Sequence, residues 1–313
     1  MNAPSRANPS DFPGKDLDVK IRQDRVAINP LQWVASADGW IDPSLAPPLE
    51  QQLAAIRAAG IGAVHSAVPG DMVAKDYAAL LAEHDLRPAP GYLPVRLTAD
   101  EAENRQFRDN AARLAEQHAE LGVPTAFLAM GMAKDATRVA HPGVGHDAQP
   151  GRLEQVRDLL AEIAGIFRAG GITPAFHPHV GTWAETEEET RFILDTVDAS
   201  VLGFGPDMGH LAWAGADAVQ LVRDYADRVA SVHIKDLDLG IAAQAKLDGW
   251  DYRKTVLAGL WSEPGHGNAD VDAFVGALPD DFDGWLIIEV DRGAQETPEE
   301  SVRKCGEWAA KYV

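Results

Sequence analysis

The sequence predicts an α/β protein of the (β/α)8 TIM-barrel class. Short apolar runs that close on turn residues alternate with longer segments of helical period, and the alternation repeats eight times across 313 residues. Strands separated by helices imply a parallel sheet, because a parallel pair needs a crossover connection. Eight such units fit a barrel of about 250 residues with insertions. The competing open, doubly wound sheet usually carries a glycine-rich first strand-to-helix turn, and "INPLQWVASADGW" has no G-x-G-x-x-G.

The units run in order. "RVAINPLQW" is strand one, followed by "LEQQLAAIRAAG", a helical period ended by Gly60. "IGAVHSAV" precedes "MVAKDYAALLAEHD", and "LRPAPGYL" precedes a long helix over about 98–121. "VPTAFLAM" leads to "GRLEQVRDLLAEIAGIFRAG", "ITPAFHPH" to "TEEETRFILDTV", and "VLGFGPD" to "DAVQLVRDYADRV". "ASVHIKDL" opens a long excursion ending in "DVDAFVGAL"; "GWLIIEV" and "ESVRKCGEWAAKYV" close the chain. Residues 21–313 are expected to form one barrel, with a flexible Pro/Ser-rich leader over 1–20 and an inserted loop at about 237–268, a lid or an interface.

Composition narrows the function. A net charge of −20 is a poor start for holding nucleic acid or an anionic membrane, which need clustered Lys and Arg. There is no apolar run of the roughly 18 residues a spanning helix needs. The single cysteine, Cys305, allows neither an internal disulfide nor a thiolate zinc site. A cytoplasmic enzyme on a small molecule is the expectation.

Active sites of this fold lie at the C-terminal strand ends. Strand five ends in His177 and His179, strand six in Asp207 and His210, strand seven in His233, Lys235 and Asp236, and strand eight in Glu289 and Asp291. Alternation sends residues i and i+2 to the same face, so His177 and His179 point one way. Each has a bland reading: Asp207 in "DMGH" suits a helix cap, and Glu289 suits an ion pair. Four consecutive strand ends carrying imidazole or carboxylate nonetheless favour a single site, and these donors suit Mn2+, Zn2+, Fe2+ or Co2+.

The motifs "FHPHVGT", "GFGPDMGHLAWAG", "RVASVHIKDLD", "EPGHGNADVDAF" and "WLIIEVD" resemble the xylose-isomerase-like sugar phosphate isomerase/epimerase superfamily. The similarity is closest to its inosose dehydratase and keto-glycoside lyase branch, covers about 172–292 best, and is looser over 26–130. The resemblance implies one divalent metal, Mn2+ first with Co2+, Mg2+, Fe2+ or Zn2+ as alternatives, on Asp207, His233 and Glu289 plus a strand-five ligand. Aligning on the Gly181-Thr182 turn makes that ligand His177, with His179 left open as the other choice. The isomerases carry glutamate there, so a symmetric two-glutamate epimerase is disfavoured.

The reaction this implies is α-proton abstraction from a keto-sugar or keto-cyclitol, a metal-stabilised enediolate and β-elimination. His179 is the first candidate base, since an imidazole titrates near neutrality. His210, Lys235 and His266 are candidates for protonating the leaving group or holding an oxyanion. The bland reading of His266 is a Pro-Gly-x-Gly turn. Trp33, His65, Trp183, Trp213 and Arg253 are candidate substrate contacts, although tryptophans on a barrel rim as often only pack and Arg253 equally suits a solvated face. Rival readings are a metal-dependent isomerase or 3-epimerase, which differs only in what leaves, and a non-catalytic sugar-binding barrel. A homo-oligomer or a partner subunit fits the family, and sequence leaves both open.

Overall fold

Eight parallel strand positions close a barrel in the computed structural model, which describes residues 21–312; the leader expected over 1–20 lies outside the described residues. The strands are β1 (Val26–Asn29), β2 (Ala63–His65), β3 (Arg87–Ala89), β4 (Tyr92–Val95), β5 (Thr125–Met130), β6 (Thr173–His177), β7 (Gly203–Phe204), β8 (Val232–Ile234), β9 (Asp236–Leu237), β10 (Trp261–Ser262) and β11 (Leu286–Glu289). One sheet runs β3-β2-β1-β11-β8 and another β4-β5-β6-β7. The bridges Phe204↔Val229 and Asp207↔His233 join the sheets at one seam. At the other seam the third barrel strand is split into β3 and β4.

The split has a local cause. Pro90 has no N–H for a ladder, and the next N–H, Gly91, donates to His118 Nε2 at 2.8 Å rather than to a strand. Gly91 also lacks room for a side chain, because a Cβ there would lie 2.5 Å from Ser66 O. "LRPAPGYL" is therefore one barrel position made of two short strands.

Strand parity decides what faces the lumen. Ala27, Ala63, Ala89, Phe127, Ala175, Trp285 and Ile287 form the inner cluster, while Val26, Ile28, Val64, Phe176, Val232, Ile234, Leu286 and Ile288 join the larger core against the helices. Small residues around Phe127 and Ile287 fill a narrow barrel. Two residues beyond Ala27, Ala63, Ala175 and Ile287 on the same face come Asn29, His65, His177 and Glu289. The period of two thus converts four apolar strands into four inward polar groups at one end.

The 237–268 insertion is structured. β9 and β10 pair antiparallel, Trp261 opposite Leu237, and enclose the helices Leu239–Asp248 and Tyr252–Leu257. Asp238 caps the first through Gly240 and Ile241 N–H, and Asp251 the second through Lys254 N–H. This hairpin packs Tyr252, Val256, Leu260 and Trp261 into a satellite core with Trp213, over the mouth of the barrel.

Candidate metal centre

His177, Asp207, His233 and Glu289 converge at the strand ends. Asp207 Oδ2 lies 3.8 Å from His177 Nε2 and 3.6 Å from His233 Nδ1, and His233 Nδ1 lies 3.6 Å from Glu289 Oε2. All four residues are buried. Asp207 does two jobs with two oxygens. Its Oδ1 caps the helix Met208–Ala214 by accepting from His210 N–H at 2.8 Å, and Oδ2 is left for the cluster. Asn29 Nδ2 donates to Glu289 Oε2 at 2.5 Å and orients it.

The donors fit a divalent cation. Asp207 Oδ2 and both ring nitrogens of His233 are buried with no hydrogen-bond partner among the described residues, which is costly unless something else satisfies them. Asp207, His233 and Glu289 offer ligand atoms within 4.8 Å of one another, as do His177, Asp207 and His210. A mixed imidazole–carboxylate set without thiolate suits Mn2+, Fe2+, Co2+ or Zn2+.

Lys235 lies at the same point. Its buried Nζ is 2.6 Å from Glu289 Oε1, 3.0 Å from Asp291 Oδ1 and 3.5 Å from Asp207 Oδ2, and 3.1 Å from His210 Nε2, to which it donates. Asp207, Glu289 and Asp291 crowd one ammonium, and a divalent ion beside them would meet carboxylate charge that Lys235 alone does not. Burial opposes the charge on Lys235, but Asp207, Asp291 and Glu289 outweigh it and hold the amine protonated well above its ordinary range. Burial raises Asp291, and Glu289 adds to the rise against Lys235. Burial likewise works against charge on Asp207, yet Lys235 keeps it ionised below the usual carboxylate range.

His179 sits apart from the ligand group. Its ring packs on His210 with centroids 3.7 Å apart and lies 6.1 Å from His177. Val180 O can only accept, so the 2.7 Å contact with His179 Nδ1 puts the proton on that nitrogen and leaves the Nε2 lone pair free. Burial and then Lys235 lower the imidazole to about 4, so it is neutral at pH 7. The loop that follows β6 and carries His179 is braced from behind. Glu185 accepts from the Gly143, Gly145 and Gly181 amides, and Arg138 makes a buried two-point pair with Glu189 while donating to Thr182 O.

His65 is the other expected residue near the cluster, buried with its ring 6.5 Å from that of His233. Four expected contacts lie elsewhere. Trp33 is buried in the helix-side core and donates to Glu299 Oε1, and Trp213 is buried behind His210 against Trp261 and Tyr252. Trp183 lies between Arg138 and Arg152, on a separate cleft with Arg96 and Thr98. Arg253 is exposed and donates to Asp38 O, tying the insertion to the loop after β1. His266 lies apart too. It is exposed, and its loop is tied down by Asp236, which accepts from the Gly265 and Gly267 amides.

A cavity of about 140 Å³ opens beside Asp291, between the insertion and the loops after β1 and β5, walled by Trp40, Ile41, Met132, Tyr252, Val256 and Trp261. Sequence reasoning missed these walls because Trp40, Ile41 and Met132 lie on loops without periodicity, and Tyr252, Val256 and Trp261 lie in the insertion, whose fold over the mouth no local pattern gives. It also missed Tyr92, whose ring meets His177 edge-on at 5.3 Å. Asn29 was findable, two residues beyond an inward alanine.

A family model described as a xylose isomerase-like TIM barrel matches residues 53–312. The chain belongs to that family. Within this family, an inosose dehydratase of Geobacillus kaustophilus is 33% identical over 140 residues, 44% of this chain and 46% of the relative. The chain thus matches under half the length of that curated relative. Solved structures share the barrel. The IolI protein with a bound zinc atom superposes with a TM-score of 0.64 at 17% identity, covering 92% of this chain and 99% of that one. The 3-keto-D-glucoside 4-epimerase of E. coli gives 0.63 at 16% identity, covering 91% and 98%. At such identities the likeness concerns the fold alone.

Proposed function

We propose that this xylose isomerase-like barrel is a divalent-metal-dependent carbon–oxygen lyase acting on a keto-sugar or keto-cyclitol. The observation that carries the reading is the division of labour at the end of β6: His177 stands among the converging donors, while His179, two residues on, keeps a free, unprotonated Nε2 beside them. The similarity to an inosose dehydratase supports the same class of reaction.

His177, Asp207, His233 and Glu289 would hold the cation, Mn2+ in this reading, with Co2+, Mg2+, Fe2+ or Zn2+ as alternatives the donor set accommodates. When bound, such an ion supplies Lewis acidity that lowers the cost of negative charge on a ketone oxygen. His179 Nε2 takes the proton from the carbon next to the ketone. His210 accepts from Lys235 Nζ and fixes it, so the ammonium provides a stationary positive charge for the electron-rich intermediate. Asp291 bonds Lys235 on one side and lines the cavity on the other; it is the group suited to protonate the departing oxygen. The carbon–oxygen bond breaks with its electron pair on oxygen, and the products are an enone and water or an alcohol.

The test is incubation of the Mn2+-loaded protein in D2O with 2-keto-myo-inositol and with a 3-keto-glucoside, following enone absorbance and product mass. Enone growth abolished by EDTA supports the lyase and says which ring is preferred. Deuterium uptake or a new ketose without enone moves the assignment to an isomerase or epimerase.

A further inference from the structure

We infer that the cavity beside Asp291 is a subsite for an aromatic leaving group, so that the substrate class is an aryl glycoside of a keto-sugar. The inference rests on the lyase reading above and adds what leaves.

Size comes first. An engineered cavity of about 150 Å³ admits one benzene molecule, so about 140 Å³ accommodates one six-membered ring. The walls come second. Trp40 and Tyr252 lie parallel within 5° at 5.9 Å, and Trp261, Met132, Ile41 and Val256 complete an apolar enclosure. The charged groups on the lining each have a protein neighbour. Asp291 bonds Lys235, Arg292 donates to Ser36 O at 2.7 Å, and Lys134 Nζ stands over the Trp40 ring at 5.1 Å. Trp261 Nε1 is buried without a hydrogen-bond partner among the described residues, and a buried indole N–H ordinarily has one. A second sugar would bring several hydroxyls to walls that are mostly aromatic and aliphatic, whereas a phenol brings a flat ring and one oxygen. The position comes third. Asp291 belongs both to this cavity and to the Lys235 cluster, so a substituent lodged here hangs from the carbon whose bond to oxygen breaks.

The step balances without a redox partner. The proton on the carbon between ketone and glycosidic carbon goes to His179, the glycosidic carbon–oxygen bond breaks with its pair on oxygen, a carbon–carbon double bond forms, and the phenoxide takes a proton from the Asp291–Lys235 pair to leave as phenol.

The test compares phenyl, 2,2,2-trifluoroethyl and glucosyl 3-keto-glucosides on the Mn2+-loaded full chain, and on Val256→Trp, which fills the cavity, and Trp40→Ala, which opens it at a half-exposed wall. The phenyl substrate should exceed the trifluoroethyl one in kcat/KM by about tenfold or more, a discrimination within reach of an apolar pocket, and the ratio should collapse in both variants. A preference due only to phenoxide being the better leaving group would survive in both, and that result overturns the subsite, as does a glucosyl substrate outrunning the phenyl one. Phenol quenching of tryptophan fluorescence supplies a readout without turnover, saturable in the native chain and lost in Val256→Trp. If no substrate reacts, the lyase reading falls, and the quenching result alone upholds or overturns the cavity assignment.

Discussion

Leu114 O can only accept and Gly91 N–H only donate, so the buried His118 ring between them is fixed as the Nδ1–H tautomer. Burial lowers it to about 4, against the bond to Leu114. The sign of the pH effect follows. Between about 6.5 and 4 the unfolded chain takes a proton that the folded chain refuses, so this stability is complete above about 6.5 and lost as pH falls towards 4, by about 3 kcal/mol. His118→Gln keeps an acceptor for Gly91 without titrating. Urea unfolding should show a smaller loss between pH 7 and 4.5 in the variant than in the native chain; equal losses would count against the assignment. Asp207→Asn makes a second test at this scale. An asparagine oxygen can still cap His210 N–H, so the fold should persist by circular dichroism while Mn2+ affinity drops by about tenfold or more. Unchanged affinity would remove Asp207 from the ligand set.

Elements place these groups. The loop after β6 is held by Arg138 between Glu185 and Glu189, a cluster buried on all sides. Arg138→Met leaves both carboxylates buried without their partner and should cost about 3–5 kcal/mol in urea unfolding; a loss under 1 kcal/mol would mean the cluster is not what holds the histidine loop. Sequence made much of this level legible. The strand ends were readable because a period of two is a local rule, so an inward Ala175 forces an inward His177 and an inward Ile287 an inward Glu289. The division of β3 from β4 was not, because it depends on His118, 27 residues away in the chain, competing for the Gly91 N–H. The roles of Trp33, Trp213, Arg253 and His266 were not readable either. Residue type cannot say whether a side chain faces the mouth, the helices or solvent, and three-dimensional packing places those four.

At the scale of the molecule, the barrel gathers three carboxylates and one ammonium at one buried point, and a divalent ion bound there would be linked to folding. An ion at a hundredfold excess over its Kd should add about 2.7 kcal/mol of stability. Differential scanning calorimetry should therefore give a higher Tm with Mn2+ than with EDTA, and Lys235→Met, which removes the competing ammonium, should widen that gap. Identical melting curves would argue against a resident cation. The fold class was fully legible at this scale, since eight strand–helix alternations allow few other closures, whereas the ring-sized cavity arises only when the insertion folds back over the mouth. The central claim is that two neighbouring imidazoles, one ending β6 and one in the loop after it, do different work. Calorimetric titration of Mn2+ into EDTA-treated native, His177→Ala and His179→Ala proteins, paired with α-proton exchange in D2O, tests it most directly. The account predicts one bound equivalent in the native chain, binding lost in His177→Ala, and binding kept but exchange abolished in His179→Ala; metal retained by His177→Ala and lost from His179→Ala would contradict it.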